Sequence, residues 1–278
     1  MFWKGRRAST NVDDRRGISG GGVAAGGGIV GIVIYLLYTF LGGGDASNIP
    51  PPQMPGSSSA EMTAQQKAED DERAEFVKVV LAETEDVWNK LYSEQGQDYP
   101  EPTLVLFRGS VESACGNASA AMGPFYCPSD RQVYIDLSFY EDLQTQLNAP
   151  GDFAMAYVVA HEVGHHIQNL SGTAAKISQL RRQLSESEYN RYSVMMELQA
   201  DFFAGVWAHY TQKKNLLESG DVQEAMNAAN AIGDDTLTRG QVSSRNFTHG
   251  TSEQRMRWFQ RGYKSGDVGQ CDTFTGSV

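Results

Sequence analysis

The sequence has 278 residues, of which 40% are hydrophobic and 21% charged, and this composition is typical of a globular protein with one large domain. The net charge of −11 argues against a nucleic acid partner, because nucleic acid phosphates select basic surfaces. Three cysteines (Cys115, Cys127 and Cys271) are too few for a disulfide scaffold and lack the paired spacing of a zinc ribbon. They allow one disulfide and one remaining thiol.

The first 41 residues differ in character from the rest of the chain. Residues 1–22 are basic, polar and then glycine-rich, show no helical or strand period, and are predicted to be a disordered cytoplasmic arm. Residues 23–41 contain no charged side chain, and their number matches the roughly 20 residues that cross a bilayer core as a helix. Positive charge before this segment predicts a cytoplasmic N-terminus. A cleaved signal peptide is the alternative, although its apolar region is usually about 7 to 15 residues long.

Residues 42–66 are rich in glycine, proline and serine, and this composition predicts a flexible to extended linker. The folded domain is predicted over residues 67–278. It begins with a helix over residues 67–95, in which apolar residues recur at spacings of three and four. The linker would hold this domain away from the membrane surface.

Two strands are predicted after this helix. The first is Thr103–Phe107, and the second includes Val133–Leu137, where apolar and polar residues alternate. We expect the second strand to offer an edge on which an extended peptide can lie. The intervening residues 108–130 are predicted to be a long loop, which a disulfide between Cys115 and Cys127 could close. Pairing of Cys271 with one of these two cysteines is the alternative.

The remaining residues are predicted to be mainly helical. The first of these helices has Asp152 as its N-cap and stops at Gly172. The predicted helices cover residues 152–170, 174–187, 188–212, 220–232 and 252–263. Together with the two strands they predict an α+β domain that is mainly helical, with a small sheet.

The helix over residues 152–170 carries the motif HEVGH, which supplies His161, Glu162 and His165. Residues four apart lie on one face of a helix, so both imidazoles can reach one tetrahedral Zn²⁺. Glu162 is turned by about 100° from His161. It therefore lies beside the water that the zinc activates, where a carboxylate can serve as general base. This arrangement is the H-E-x-x-H pattern of zinc peptidases, and a chance match on a core helix is the alternative.

A catalytic zinc needs a third protein ligand, and the motif ELQAD supplies a candidate. The extended metzincin motif is absent, because its glycine would fall at Gln168 and its third histidine at Ser171. Glu197 lies on a helix whose centre is apolar nearly all round, where a carboxylate needs a cation. Asp201, one turn further on, can bind the outer N–H of a ligand histidine. The alternative is that Arg191 or another basic residue neutralises the two carboxylates.

The other histidines have weaker assignments. His166 is predicted to pack or to form hydrogen bonds, because it points away from the ligand face. His209 lies about 18 Å along the helix from the third-ligand candidate, and is predicted to be structural or exposed. His249 lies in a loop and could stabilise the oxyanion of a tetrahedral intermediate, or could be a capping or surface residue. Tyr134 and Tyr157 are further candidates for oxyanion contacts.

Several segments resemble a known family. They are HEVGHH, ELQAD, MGPFYCPSDRQVYIDLSFY, THGTSEQRMRWFQRGY and CDTF. Together they are similar to the bacterial family of neutral zinc metallopeptidases, over the apolar N-terminal segment and nearly all of residues 67–278. The resemblance implies a zincin-like fold and a membrane-anchored bacterial protein. The chain also resembles the gluzincins, in which the third ligand is the glutamate of a Glu-x-x-x-Asp helix, here Glu197 followed by Asp201.

The sequence as a whole predicts a single-pass protein of the bacterial cytoplasmic membrane with an extracytoplasmic zinc peptidase domain. Peptides or proteins would be its substrates, with Glu162 as general base and His249 as a second catalytic residue. The rival prediction is a non-catalytic membrane-bound binding or chaperone-like module in which zinc only stabilises the fold. A structural zinc site would have a fourth protein ligand, whereas a catalytic site keeps one position open.

Overall fold

A computed structural model of the chain describes residues 1–17 and 62–275. Residues 23–41 and most of the predicted linker lie outside these ranges. Among the described residues, no helix is both long and apolar enough to cross a membrane. The protein is mainly helical, with a small sheet. Its strands are β1 (Val12–Asp14), β2 (Thr103–Phe107), β3 (Ser110–Ser113), β4 (Gly116–Ser119), β5 (Phe125–Cys127) and β6 (Gln132–Asp136).

The helices pack mainly on one face of the sheet. They are α1 (Ala64–Ser93), α2 (Phe139–Thr145), α3 (Asp152–Leu170), α4 (Thr173–Leu180), α5 (Glu186–Lys213), α6 (Asp221–Ala231), α7 (Asp234–Leu237) and α8 (Ser252–Ser265). Helix α3 is the centre of the domain, since α1, α5 and α6 all pack against it. Its side chains are almost all buried, which explains why its sequence is apolar nearly all round. The metal-binding motif therefore lies on the most buried helix.

The start of α3 differs from the sequence prediction. Gly151, with φ of 120°, takes the N-cap position that was expected for Asp152. As a glycine it has no side chain that could accept a hydrogen bond from the first turn. The backbone N–H of Phe153 instead donates to the carboxylate of Glu224 on α6, at 3.0 Å. A glutamate from a neighbouring helix thus satisfies one of the free N–H groups at this helix end.

The four main strands have the order β1–β2–β6–β5. β1 pairs with β2 and β2 with β6 in parallel, whereas β5 pairs with β6 in the antiparallel direction. The strand that includes Val133–Leu137 was expected to offer a free edge. Most of these residues form β6, which lies between β2 and β5, so that prediction is wrong. The free edge beside the cleft belongs to β5, a three-residue strand too short to give a recognisable period.

The region predicted as a loop, residues 108–130, contains more regular structure than expected. β3 and β4 form a separate antiparallel hairpin, followed by a short 3₁₀ helix at Ala120–Met122 and then by β5. A disulfide joins Cys115 to Cys127 with a Cα–Cα distance of 5.8 Å, as the spacing of these residues predicts. It attaches the hairpin end to the last residue of β5. Cys271 is the free thiol.

The N-terminal arm also differs from the prediction. Residues 1–17, which were expected to be disordered, pack on the domain and contribute β1 to the sheet. The side chain of Met1 is buried, and Trp3 packs edge-on against Phe76 of α1 at a centroid distance of 5.4 Å. The arm has no helical period because it follows the domain surface as irregular chain with one three-residue strand, and Lys4, Arg6, Arg7 and Arg16 face carboxylates of α1. Its sequence alone shows none of those partners.

Candidate metal site and cleft

Helices α3 and α5 bring the three predicted metal ligands together. His161 and His165 come from α3 and Glu197 from α5, and one ligand atom of each lies within 4.8 Å of the others. Gly164 allows this approach, since a Cβ there would lie only 3.0 Å from the Cα of Ala200. The glycine of the motif therefore sets the spacing of the two helices, and with it the distance between the histidines and the glutamate.

The distances fit a zinc ion. Nε2 of His161 lies 3.2 Å from Oε2 of Glu197, and Nε2 of His165 lies 3.4 Å from Oε1. A tetrahedral zinc with bonds of about 2.1 Å separates its ligand atoms by about 3.4 Å. Two imidazoles and one carboxylate are also a ligand set found at catalytic zinc sites. The residues present thus match zinc in both chemistry and spacing.

His161 has a fully buried and charged support. Its Nδ1 lies 2.8 Å from Oδ1 of Asp201, which also accepts a hydrogen bond from Tyr157 at 2.5 Å. Arg255 of α8 reaches the same carboxylate through Nε at 2.9 Å and Nη2 at 3.0 Å. Because Nδ1 faces a carboxylate, it carries the proton, and Nε2 is left for the metal. Asp201 thus lies beside His161, where the sequence analysis expects it to orient a ligand histidine.

The charges of this cluster determine the protonation of its members. Burial opposes protonation of His161, but the Asp201 carboxylate beside it outweighs burial and raises the pKa of His161 to about 9. Burial also opposes ionisation of Asp201, yet Arg255 and His161 lower its pKa. The pKa of Glu197 is likewise lowered, against burial, by His165 and His161. Without metal, the carboxylates are therefore ionised and His161 holds a proton that zinc would displace.

His165 has a different support. Its Nδ1 lies 2.9 Å from the amide oxygen of Gln168, one turn further along α3. The amide nitrogen of Gln168 donates to the carbonyl of Met196 at 2.6 Å, next to the third ligand. This neutral amide fixes the tautomer of His165 and also connects α3 to α5. Both ligand histidines therefore have their outer nitrogen bound, as is usual at metal sites.

The ligand atoms face a cleft of about 500 Å³, and Glu162 lines it beside them. The walls are largely apolar. They include Met122, Pro124, Phe125, Val158 and Leu237. Met122 is one of few large apolar side chains in the described ranges with high exposure, at 48%. A cleft that is apolar around a few convergent polar groups is typical of a ligand-binding site.

His249 reaches the same cleft from the loop before α8. Its Nδ1 lies 3.0 Å from Oδ1 of Asp234, while Oδ2 accepts the backbone N–H groups of Thr248, His249 and Gly250. Burial opposes protonation of His249, but the hydrogen bond to Asp234 and the charge of Glu197 outweigh it and raise its pKa. His249 can thus carry a proton on Nε2 towards the cleft.

The edge strand is attached to the metal-binding helix by hydrogen bonds. The hydroxyl of Tyr126 lies 2.9 Å from Nδ1 of His166 and accepts the side-chain N–H of Asn169, also at 2.9 Å. Nε2 of His166 lies 2.6 Å from the carbonyl of Pro100, so it carries the proton and Nδ1 accepts from Tyr126. Burial lowers the pKa of His166 to about 4, which keeps the ring neutral. His166 therefore forms hydrogen bonds, as predicted.

The remaining candidates have other partners in the structure. The hydroxyl of Tyr134 donates to Asp130 at 2.8 Å, and its ring stacks on Phe125 on the sheet face away from α3, so its predicted oxyanion contact is wrong. Tyr157 lies at the site, but its hydroxyl is bound to Asp201. His209 binds the carbonyl of Tyr263 at 2.8 Å and is structural.

Four residues of the site escaped the sequence prediction: Gln168, Asp234, Arg255 and Tyr126. Only Gln168 gave a signal, because it follows His165 by three residues on one helix face. Arg255 reaches Asp201 because glycines allow α8 to touch α5: a Cβ on Gly262 would lie 2.0 Å from the Phe202 carbonyl. The alternative in which a basic residue neutralises the carboxylates is thus realised by Arg255 instead of Arg191. Arg255 binds Asp201 and also lies 3.8 Å from Glu197.

The fold and site define an α+β protein with a candidate metal site on a His-Glu-x-x-His helix, completed by a glutamate from a second helix. Comparison with known proteins agrees: the chain belongs to the family described as "Putative neutral zinc metallopeptidase", which matches residues 1–274. It is 47% identical to the uncharacterized protein YpfJ of Escherichia coli K12 over 287 residues, covering all of both chains. It is 42% identical to the uncharacterized protein Mb2605 of Mycobacterium bovis over 191 residues, 64% of each chain. No solved structure matches significantly.

Proposed function

We propose that the protein is a zinc-dependent peptidase that hydrolyses peptide bonds in the cleft above α3. The observation that carries the proposal is the grouping of His161, His165 and Glu197 at zinc-ligand spacing, with Glu162 on the wall of an open cleft. The three ligands leave one position of a tetrahedral zinc for substrate or water. The family description supports zinc and peptidase chemistry.

Each residue has a distinct role in this proposal. Zinc, when bound, polarises the scissile carbonyl and the attacking water. Glu162 accepts the proton of that water and passes it to the leaving amine. His249, charged and held by Asp234, donates a hydrogen bond from Nε2 to the oxyanion of the tetrahedral intermediate. Asp201 and Gln168 hold the two ligand histidines in the correct orientation.

The substrate would lie along β5. This strand has a free edge next to the cleft, and an extended peptide can add to such an edge through backbone hydrogen bonds. The apolar walls favour substrates with a bulky apolar side chain near the scissile bond. Arg255 lines the cleft but is bound to Asp201, and His249 is assigned to the oxyanion, so the described walls keep no further cation for an acidic substrate side chain.

The rival proposal is a non-catalytic module that zinc only stabilises. Such a site would have four protein ligands. Among residues 1–17 and 62–275, the ligand group at this position has three members. An open fourth position favours catalysis. Glu162 favours it as well, because it lies beside that position and is not one of the three proposed ligands.

Glu162→Gln separates the two proposals. The substitution keeps the shape of the side chain and removes the base, so zinc content should stay near one per chain. Hydrolysis of casein should fall by about 10²–10⁴-fold, as is typical when a general base is lost. Glu94→Gln, an exposed change at the end of α1, is the matched control. Zinc-loaded wild type without hydrolysis of any peptide mixture would support the non-catalytic module.

We also propose that residues 23–41 attach the chain to the bacterial cytoplasmic membrane and that the domain lies outside the cytoplasm. The uncharged 19-residue segment supports attachment. The Cys115–Cys127 disulfide supports an oxidising compartment. The protein should remain with membranes after a high-salt wash. Release of a soluble fragment that begins near Asp45 would instead support a cleaved signal peptide.

A further inference from the structure

We infer that residues 1–17 are an integral part of their own domain and lie on the same side of the membrane as residues 62–275. The surface that receives them is formed by β2 and by the part of α1 beside it. The sequence predicts a cytoplasmic arm and an extracytoplasmic domain, on opposite sides of the membrane. This inference instead places both on the same side. It does not depend on whether the protein hydrolyses peptides.

The backbone of the arm completes the sheet. In the parallel pair, Val12 is in register with Leu104 and Asp14 with Leu106. The N–H of Leu104 donates to the carbonyl of Asn11 at 2.9 Å, and Arg15 donates to Leu106 at 2.8 Å. Without β1, the hydrogen-bonding groups on this side of β2 would form an open edge. Proteins normally cover or disrupt such an edge, because it promotes pairing with other chains.

The basic side chains of the arm have acidic partners on α1. Arg6 binds Glu83 at 2.7 Å and Arg7 binds Glu85 at 2.8 Å, and both glutamate side chains are at most 3% exposed. Ser9 adds a second hydrogen bond to Glu85, at 2.5 Å. Buried carboxylates are costly without partners. Glu83 has a second partner in Lys214, at 2.8 Å, whereas the side-chain partners of Glu85 all come from the arm, so this part of α1 is built to receive it.

These ion pairs change the interpretation of the positive charge. The sequence prediction of a cytoplasmic N-terminus rests on the basic residues before the apolar segment. Arg6, Arg7 and Arg16 each bind a carboxylate of α1, so the fold already accounts for their presence. Charge that serves the fold is weak evidence for the side of the membrane on which it lies.

The arm also reaches the start of the metal-binding helix. Met1 is 4% exposed, and its amino group lies 3.0 Å from Oδ1 of Asp152, the first residue of α3. The N–H of Phe2 donates to the carbonyl of Leu216 beyond α5, at 2.8 Å. The arm therefore contacts the sheet, α1, and the end of the helical core at which α3 begins and α5 ends.

The docked arm has a topological consequence. One crossing of a bilayer between residues 17 and 62 would place the arm and its docking surface on opposite sides and would break the contacts described above. If the disulfide places the domain outside the cytoplasm, the arm lies there too. The alternative occupants of the docking surface are the arm of a second copy, or none in the cell.

The accessibility of single cysteines tests on which side of the membrane the arm and the domain lie. In a Cys271→Ser background, Lys4→Cys labels the arm and Glu94→Cys the domain, at side chains that are 74% and 55% exposed. A membrane-impermeant maleimide is applied to intact spheroplasts and, in parallel, to permeabilised ones. We expect the same result at both positions, with a labelling ratio near one. Labelling of one position in intact spheroplasts and of the other only after permeabilisation would overturn the inference.

Cross-linking tests which domain receives the arm. The Lys4 and Glu72 side chains touch at 2.6 Å and both are more than half exposed, so the pair Lys4→Cys and Glu72→Cys should retain the fold. A short bifunctional maleimide applied to the full chain in membranes should join the two cysteines within one chain. Each single variant is the matched control. Cross-links found only between two differently tagged copies, or no cross-link while both cysteines react, would overturn the inference.

Discussion

The helical and the sheet halves of the cleft are held by different kinds of interaction. The metal ligands lie on α3 and α5, which contact each other through Gly164 and Ala200 and share a buried charge network around Asp201. The edge strand β5 has only three residues, and is held by one neighbouring strand, a disulfide and the hydroxyl of Tyr126. One half is fixed by packing and charge, the other by a few specific bonds.

This difference predicts that changes in the two halves have different effects. Changes among the helices should alter metal binding, because the ligands and their supports share one buried cluster. Changes around β5 should alter stability or peptide affinity and leave zinc in place, since no ligand comes from the sheet. A variant of β5 that loses zinc would show that the two halves are not independent.

The largest effect is expected at the third ligand. Glu197→Gln removes the charged ligand, so zinc affinity should fall by more than the roughly 10–100-fold that a change in a ligand's support costs. Hydrolysis should be lost with the metal. Zinc content by atomic absorption and peptide turnover measure the two effects. If Glu197→Gln keeps full zinc while His249→Ala loses it, then His249 is the third ligand and the assignment of Glu197 is wrong.

A large effect on rate alone is expected at His249. His249→Ala should lower kcat by about 10²–10³, the usual cost of one oxyanion donor, with zinc retained. Asp234 raises the pKa of His249, so the charged form persists to higher pH and activity is lost as pH rises through that value. Asp234→Asn should therefore shift the alkaline limb of the kcat profile to lower pH. An unchanged limb would mean that another group titrates there.

The helical half was the more predictable from sequence. The spacings in HEVGH and ELQAD predicted the candidate ligands that the fold brings together, because residues four apart on a helix share a face whatever surrounds them. Arg255 could not be found in this way, since its contact with Asp201 depends on how α8 crosses α5. β1 and β5 have three residues each, too few for a period, and β1 pairs with a strand about 90 residues further along the chain. The partners of such strands are decided by tertiary packing.

Removal of the disulfide should affect the sheet half. Cys115→Ser combined with Cys127→Ser should lower the free energy of unfolding by about 3 kcal/mol, as expected for a closed loop of this size. Urea denaturation of the zinc-loaded protein measures this. Zinc content should remain near one per chain. Cys271→Ser is the control, because that thiol is free. Equal loss of stability in the control would rule out the disulfide as the cause.

The supports of the two ligand histidines should differ in their effect on zinc. Asp201→Asn should weaken zinc binding by up to about 100-fold, and Gln168→Ala by about tenfold, within the range for such partners. Asp201 is charged and connects His161 with Arg255 and Tyr157, whereas Gln168 is a neutral amide. Competition with a chelator gives both affinities. Equal losses would show that orientation alone, without charge, explains the support of His161.

The smallest effect is expected at Tyr126, which joins β5 to α3. Tyr126→Phe keeps the ring and removes the hydroxyl, leaving Nδ1 of His166 without its donor. A lost hydrogen bond of this kind costs about 1 kcal/mol, so KM for a peptide should rise about fivefold if β5 holds the substrate. Zinc content and kcat should not change. Tyr263→Phe, which removes an exposed hydroxyl on α8, is the matched control. A fall in kcat or zinc content at unchanged KM would mean that Tyr126 serves the metal-binding helix, and that the substrate does not lie along β5.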